Sequence, residues 1–267
     1  GIAAKRLSGK PLVVHVHATS FDRSSDQNID TRVYEIEKKG MEAADRVITV
    51  SDLTRNIVIT KYGINPDKVV TVHNAVDFSG RSEMKVERGV DDKVVTFLGR
   101  ITFQKGPEYF IEAAAKVLKR CPGVRFVMAG SGDMMNRSIR QVARLGISDR
   151  FHFTGFLRGT DVQKMFALSD VYVMPSVSEP FGISPLEAMR SGVPSVISHQ
   201  SGAAEVLKYA FKVDFWDVDA MADQIYALLK YPALADFASK YGYDEVNTLK
   251  WNNAAAKIKK VYESVIK

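Results

Sequence analysis

Short runs of apolar, mostly β-branched residues alternate along this chain with longer stretches of helical periodicity. PLVVHVH (11–17), RVITV (46–50) and KVVTV (68–72) predict strands. Residues 30–44 and 51–62 predict helices, the second with Ser51 as its N-cap. The same alternation continues with KVVTFLG (93–99), VRFVMAG (124–130), RFHFTG (150–155), DVYVMP (170–175) and PSVIS (194–198) as strands. Helical patterns fall between them at 106–120, 134–146, 160–169 and 185–191. Strands alternating with helices predict an α/β fold built on parallel sheet. One stretch, DFSGRSEMKVERGVDD (77–92), is polar and lacks apolar periodicity, so the chain divides there into two α/β units. The end, 247–267, predicts an amphipathic helix with Ile258, Val261, Tyr262 and Val265 on one face.

Composition narrows the class. The chain has 267 residues and 46% apolar content, enough for a sizeable core. Its single cysteine, Cys121, allows no internal disulfide framework, which fits a reducing, cytoplasmic compartment. No apolar run approaches the ~18 residues of a membrane span, and the opening GIAAKRLSGK lacks the apolar stretch of a signal peptide. The net charge of +6 has solubility as its simplest meaning. Contact with anionic lipid at the inner face of a membrane, or with an anionic glycan, is the alternative. Nucleic acid is not expected, because the charges are dispersed and no aromatic–basic binding motif occurs.

Candidate chemistry concentrates in SEPFGISPLEAMRS (178–191), where Glu179 and Glu187 stand eight positions apart. The stretch reads as a glycine-containing loop entering a helix, with Ser184 as N-cap and Pro185 at the first helical position. Free N–H groups in such a turn favour a phosphate, and the two carboxylates suit hydroxyls at either end of it. A sugar, a diphosphate and a ribose in a row would fit; a capped surface helix with two solvated acids carries equal weight from spacing alone. Arg100 and Lys105 follow the strand 93–99, at the carboxyl end where open α/β sheets bind ligands. Gly130–Ser131–Gly132 follows another strand, where small residues let a ligand approach the backbone. Phe153–Thr154–Gly155 ends a third. His15 and His17 share one strand face; nothing in the sequence completes a zinc ligand set around them, and a core histidine is the simpler reading.

Several blocks in order resemble one family: FLGRITFQKGPEYFIEAAAKV (97–117), MAGSGD (128–133), FTGFL (153–157), DVYVMPSVSEPFGISPLEAMRSGVPSVIS (170–198) and SGAAEVL (201–207). Together with the E-x7-E spacing they are similar to retaining glycosyltransferases of the GT-B fold, group 1, family 4 type. The resemblance implies a Rossmann-like C-terminal domain and a partial Rossmann-like N-terminal domain. It places the end of the N-terminal, acceptor-side domain at 1–80, a linker at 81–92, the donor-binding domain at 93–246, and a helix at 247–267 crossing back to the first domain. On that comparison the chain begins partway through its N-terminal domain.

The resemblance also implies site roles. Arg100 and Lys105 contact the donor diphosphate, and Gly130, Ser131 and Gly132 adjoin it. Phe153, Thr154 and Gly155 line the nucleobase, and Glu187 accepts from the ribose. Glu179 holds donor-sugar hydroxyls, and the N–H groups of Phe181, Gly182 and Ile183 add contacts. His17 faces the sugar across the cleft, with Asp22 and Arg23 nearby, while His73 and Asn74 are structural. His152 and His199 carry no role.

The implied activity is transfer of a sugar from a nucleoside-diphosphate sugar to a glycan or lipid-linked acceptor, with retention, without metal and without a cofactor. Front-face transfer is favoured over Glu179 as covalent nucleophile. A nucleotide-sugar-binding module without turnover, and a GT-B epimerase or phosphorylase, are the alternatives. Donor base, sugar and acceptor are not legible. One departure stands out: 208–222 (KYAFKVDFWDVDAMA) lacks the family's glycine-rich segment, a loop that borders the donor pocket.

Overall fold

A computed structural model describes residues 1–24, 29–76, 86–87, 89 and 91–266. Most of the predicted boundary, 77–85 with 88 and 90, therefore lies outside the described residues. The first unit carries a three-stranded parallel sheet of β1 (Val13–Val16), β2 (Arg46–Thr49) and β3 (Val69–Thr71), in that order. The second carries six parallel strands: β4 (Lys93–Leu98), β5 (Val124–Ala129), β6 (Phe151–Gly155), β7 (Val171–Met174), β8 (Ser195–Ser198) and β9 (Phe211–Val213). Their spatial order is β6-β5-β4-β7-β8-β9. Chain order therefore reverses between β4 and β7, which opens a crevice at the carboxyl ends of those strands.

Burial explains why these runs form strands. Every residue of β7 and β8 is buried, as expected for parallel strands covered on both faces. The helix Pro107–Arg120 lays Phe110, Ile111, Ala114 and Val117 on the sheet, starting at a helix-compatible proline and ending on Lys119 and Arg120. Phe110 meets Phe97, Phe126 and Phe151 at centroid distances of 5.6, 5.7 and 5.8 Å, and these four rings form much of the second unit's core. In the first unit the helices Thr31–Ala43 and Asp52–Thr60 supply Met41 and Val58 to a separate core with Val16 and Val47. Ser51 caps the second of them, accepting from the Thr54 N–H.

The final helix runs Trp251–Glu263, starting later than 247. Its Ala254, Ile258 and Val261 pack with Ile48 of β2 and Val72 after β3, so the last helix of the chain completes the core of the first sheet. Tyr262, expected on that apolar face, is 48% exposed. The stretch 208–222, expected as a loop, instead contains β9 and the start of the helix Val218–Lys230, with Asp217 as its cap. A further helix, Pro232–Val246, follows. Among the described residues no helix is long and apolar enough to cross a membrane.

The loops after β4 and β5 interlock through their backbones. The Ile101 N–H donates to the Ser131 carbonyl at 2.9 Å, and the Met134 N–H to the Ile101 carbonyl at 3.0 Å. A Cβ at Gly130 would lie 1.8 Å from the Gly99 carbonyl oxygen, and one at Gly132 would lie 2.2 Å from that of Ile101. Gly130 also has φ of 145°, a conformation that side-chain-bearing residues avoid. Gly130→Ala is therefore expected to destabilise the chain by about 3 kcal/mol or more, from backbone clash and strain together. Gly146→Ala, at φ 69° with open space around it, should cost only about 1 kcal/mol. Urea unfolding of the two variants checks this; equal costs would mean that the loops separate easily.

Candidate functional site

The crevice holds two cavities that meet at one side chain. The larger, about 680 Å³, is lined by Leu98, Gly99, Gly130, Ser131, Phe156, Leu157, Glu187 and Arg190 among others. The smaller, about 320 Å³, is lined by His17, Arg23, Asn74, Gln104, Lys105, Glu179, Phe181, Gly182 and Ile183 among others. Arg100 lines both. It sits in the loop fixed by the interlock above and donates from Nη2 to Gln104 Oε1 at 3.2 Å. A ligand spanning both cavities passes its guanidinium.

Each end has its own carboxylate. Glu187 lies in the first turn of the helix Ser184–Arg190 and faces the larger cavity. Burial raises its pKa, and the nearby Arg190 offsets part of that rise. Glu179 is buried in the smaller cavity and pairs with Lys105 Nζ. Its backbone is tied to the end of β8, donating to the Gln200 carbonyl at 2.9 Å and accepting from the Gly202 N–H at 3.0 Å. Lys105 ends a short 3-10 turn, Phe103–Lys105, and Gly106 at φ 63° turns the chain from it into the following helix. A Cβ at Gly106 would lie 2.1 Å from the Pro175 carbonyl oxygen, so this glycine lets the Lys105 turn sit against the end of β7.

Two sequence expectations need correction. Ser184 is not the N-cap: the helix is entered from Ile183 without a side-chain cap, Ser184 is its first residue, and the Ser184 hydroxyl accepts from buried Tyr172 at 2.8 Å. Thr154 does not line the larger cavity. The β5–β6 register shifts so that Met128 pairs with Phe153 and Ala129 with Gly155, skipping Thr154. Its side chain lines a different cavity with Thr96, Val127 and Met165. Phe153 packs against Phe151 and the core, and Gly155 contributes its carbonyl to the Gly130 N–H at 2.8 Å. Phe156 and Leu157, just beyond, form the wall instead. Gly130 and Ser131 line the larger cavity, and Gly130 and Gly132 also make room for the neighbouring loop.

The first unit reaches the cleft through the loop after β1. His17 is exposed and lines the smaller cavity with Arg23. His15 lies beside it, 4.2 Å between centroids with the rings tilted by 37°, and burial, then the charge of His17, lowers the His15 pKa. Asp22 is fully buried and accepts from the Thr19 N–H and hydroxyl at 2.6 and 2.8 Å, and from Ser178 of the second unit at 2.9 Å.

Residues that sequence reasoning missed include Gln104, Arg190, Asn74 as a lining residue, and Glu205. Glu205, within SGAAEVL, accepts from the Asp52 and Leu53 N–H groups at 2.8 and 2.7 Å and lies 2.7 Å from His73 Nε2, joining the two units. Among the described residues, Asp52, His73 and Glu205 are also the group of carboxylate and imidazole ligands close enough to share an ion. Both Glu205 oxygens already face the partly positive start of a helix, which disfavours a cation there.

Comparison with known proteins gives the family and the fold. Residues 81–245 match the family model described as glycosyl transferases group 1, and residues 1–79 match that of glycosyltransferase family 4. An uncharacterized glycosyltransferase of Methanocaldococcus jannaschii is 33% identical over 222 residues, covering 78% of this chain and 57% of the relative. The D-inositol 3-phosphate glycosyltransferase of Mycobacterium marinum is 30% identical over 247 residues, covering 86% and 52%. The chain thus spans a little over half the length of these two relatives. Among solved structures, Anabaena HepE in complex with UDP and glucose superposes with a TM-score of 0.86 at 21% identity, over 99% of this chain and 74% of that one, and shares the GT-B fold. On the match over 81–245, the chain belongs to the glycosyl transferases group 1 family.

Proposed function

We propose that this chain binds a nucleoside-diphosphate sugar across the two cavities and transfers the sugar, with retention and without a metal ion, to a hydroxyl of a glycan or lipid-linked acceptor. The observation that carries this reading is Arg100 lining both cavities, with Glu187 in one and Lys105, Glu179 and His17 in the other. The nucleoside occupies the larger cavity, where Glu187 accepts from ribose hydroxyls. The diphosphate lies at Arg100 and Lys105, and the sugar lies between Glu179 and His17. HepE, solved with UDP and glucose, makes UDP the first nucleotide to test.

The chemistry follows from the placement of charge. As the glycosidic bond breaks, negative charge gathers on the leaving diphosphate. Fixed cations aimed at that position lower the barrier without reorganising. Arg100 offers a planar fork and Lys105 a point charge, so the pair meets this need with side chains alone. Glu179, ion-paired with Lys105 and held by backbone bonds beyond the carboxyl ends of β7 and β8, is better suited to fixing sugar hydroxyls than to attacking carbon. This favours front-face transfer, with a leaving-phosphate oxygen taking the acceptor proton. A nucleotide-sugar-binding module would share the donor contacts and lack turnover.

Two predictions follow from this placement. Arg100→Ala should weaken UDP about tenfold with little change in melting temperature, since the side chain is exposed and contributes a charge-assisted contact. Lys105→Ala should weaken UDP and also lower the melting temperature, because buried Glu179 loses its partner. Calorimetry and thermal melts separate the two; unchanged UDP affinity in both removes them from the diphosphate site.

Glu187→Gln should show opposite effects on stability and binding. With its folded pKa raised, the unfolded chain loses the Glu187 proton first as pH rises through the ordinary carboxylate range. Folding stability then falls until Glu187 ionises in the fold as well. The Glu187→Gln variant lacks this fall, so its melting temperature should exceed the parent's at pH 7 and match it well below the carboxylate range. Its UDP affinity at pH 7 should drop, while Glu179→Gln should spare UDP and weaken only UDP-glucose. A Glu187→Gln chain that melts lower at pH 7 and binds UDP normally would contradict the assignment.

A further inference from the structure

The stretch 208–222, where the sequence departs from the family's glycine-rich pattern, carries a pair of aromatic residues, Phe215 and Trp216, just after β9 and Asp214. Trp216 is 58% exposed. It is nevertheless braced. Its ring stands nearly perpendicular to Phe215, at 4.7 Å and 87°, and Phe215 packs against Tyr109 at 5.1 Å and 66°. Tyr109 belongs to the helix that follows Lys105 and Gly106. An exposed indole braced by one ring, itself backed by a second, has less freedom to lose on binding.

One residue links this step to the sugar-side cavity. Gln200 accepts the Glu179 N–H on its carbonyl at 2.9 Å, donates from Nε2 to Asp214 Oδ1 at 2.8 Å, and accepts the Phe215 N–H on Oε1 at 3.4 Å. The ends of β7, β8 and β9 therefore form a continuous ledge running from Glu179 to Trp216. Two acids bracket Trp216 in the chain: Asp214, which accepts from Gln200, and Asp217, whose side chain accepts from the Ala220 N–H. Asp219, further along, is paired with Lys116.

We propose that Trp216, with Asp214 and Asp217, is a stacking subsite for a neutral oligosaccharide, the remote part of a glycan acceptor lying along this ledge. A pyranose presents an apolar C–H face that suits an indole, and equatorial hydroxyls that donate to carboxylates at its edge. The flanking acids repel sulfated or phosphorylated chains and anionic lipid. This subsite rests on the sugar-transfer reading above, and it concerns acceptor length, not donor chemistry.

The test uses the two tryptophans of the chain. In Trp251→Phe, Trp216 is the remaining indole, and its emission reports directly on the subsite. Maltohexaose, cellohexaose and chitohexaose are titrated against it, with glucose, dextran sulfate and phosphatidylglycerol vesicles as the other arms. At least one neutral hexasaccharide should change the emission saturably and bind at least tenfold more tightly than glucose. Trp216→Ala, in the otherwise unaltered chain, should weaken that hexasaccharide about tenfold by calorimetry, and UDP affinity should not move. Silence toward all three hexasaccharides overturns the proposal. So does a response to dextran sulfate or vesicles instead, or equal hexasaccharide affinity in Trp216→Ala. Loss of UDP binding in the parent chain would count against the donor reading and leave the indole titration to be judged by itself.

Discussion

Two backbones touch where no side chain fits, and the candidate site depends on that contact. The Gly99 carbonyl lies where a Gly130 Cβ would be, and the Ile101 carbonyl lies where a Gly132 Cβ would be. Backbone hydrogen bonds between the same loops lock the approach. The consequence is positional. Arg100 sits between two residues that cannot move apart without breaking that lock, so its backbone is held where the two cavities meet, and Gln104 Oε1 accepts from its Nη2 at 3.2 Å. Electrostatic stabilisation of a leaving group needs this kind of fixed charge, because a cation that must travel to its target spends part of its advantage on reorganisation.

A second constraint acts across the cleft. The first unit is not merely adjacent to the second. Asp22 is fully buried between them and bonded to Ser178, while Glu205 caps the helix Asp52–Thr60 from the opposite side and contacts His73. Gly202 lets these surfaces close, since a Cβ there would lie 2.5 Å from the Ser51 Cβ. These polar contacts hold His17 opposite Glu179 in one cavity. Burying an acid such as Asp22 is costly unless it is fully bonded. Thr19 bonds one of its oxygens within the first unit, and Ser178 bonds the other only while the two units are together.

Much of this was legible from the residues. β1 to β8 fall within runs whose β-branched, apolar composition fits buried parallel strands. Ser51 caps its helix because a hydroxyl two or three residues before free N–H groups has one good use. The two glutamates and the Arg–Lys pair were legible through their order along the chain. What stayed hidden depended on register and tertiary contact. A one-residue irregularity opposite Met128 and Ala129 turns Thr154 away and brings Phe156 to the wall, and no periodicity announces that shift. Ser184 looked like a cap, yet a buried tyrosine from β7 claims its hydroxyl. β9 has three residues, too few for a pattern, and aromatic residues around it masked the helix that follows. Glu205 partners an amide pair some 150 positions away, a pairing visible only once the chain is folded.

The central claim is that the two cavities joined at Arg100 form one donor site. Saturation-transfer NMR of UDP-glucose with this chain tests it most directly, because each proton of the ligand reports its own proximity to protein. Saturation should reach the ribose protons beside Glu187 and the glucose protons beside Glu179 in the same complex. Saturation confined to the uridine, with the glucose protons silent, would show that the smaller cavity does not receive the sugar and would contradict the claim.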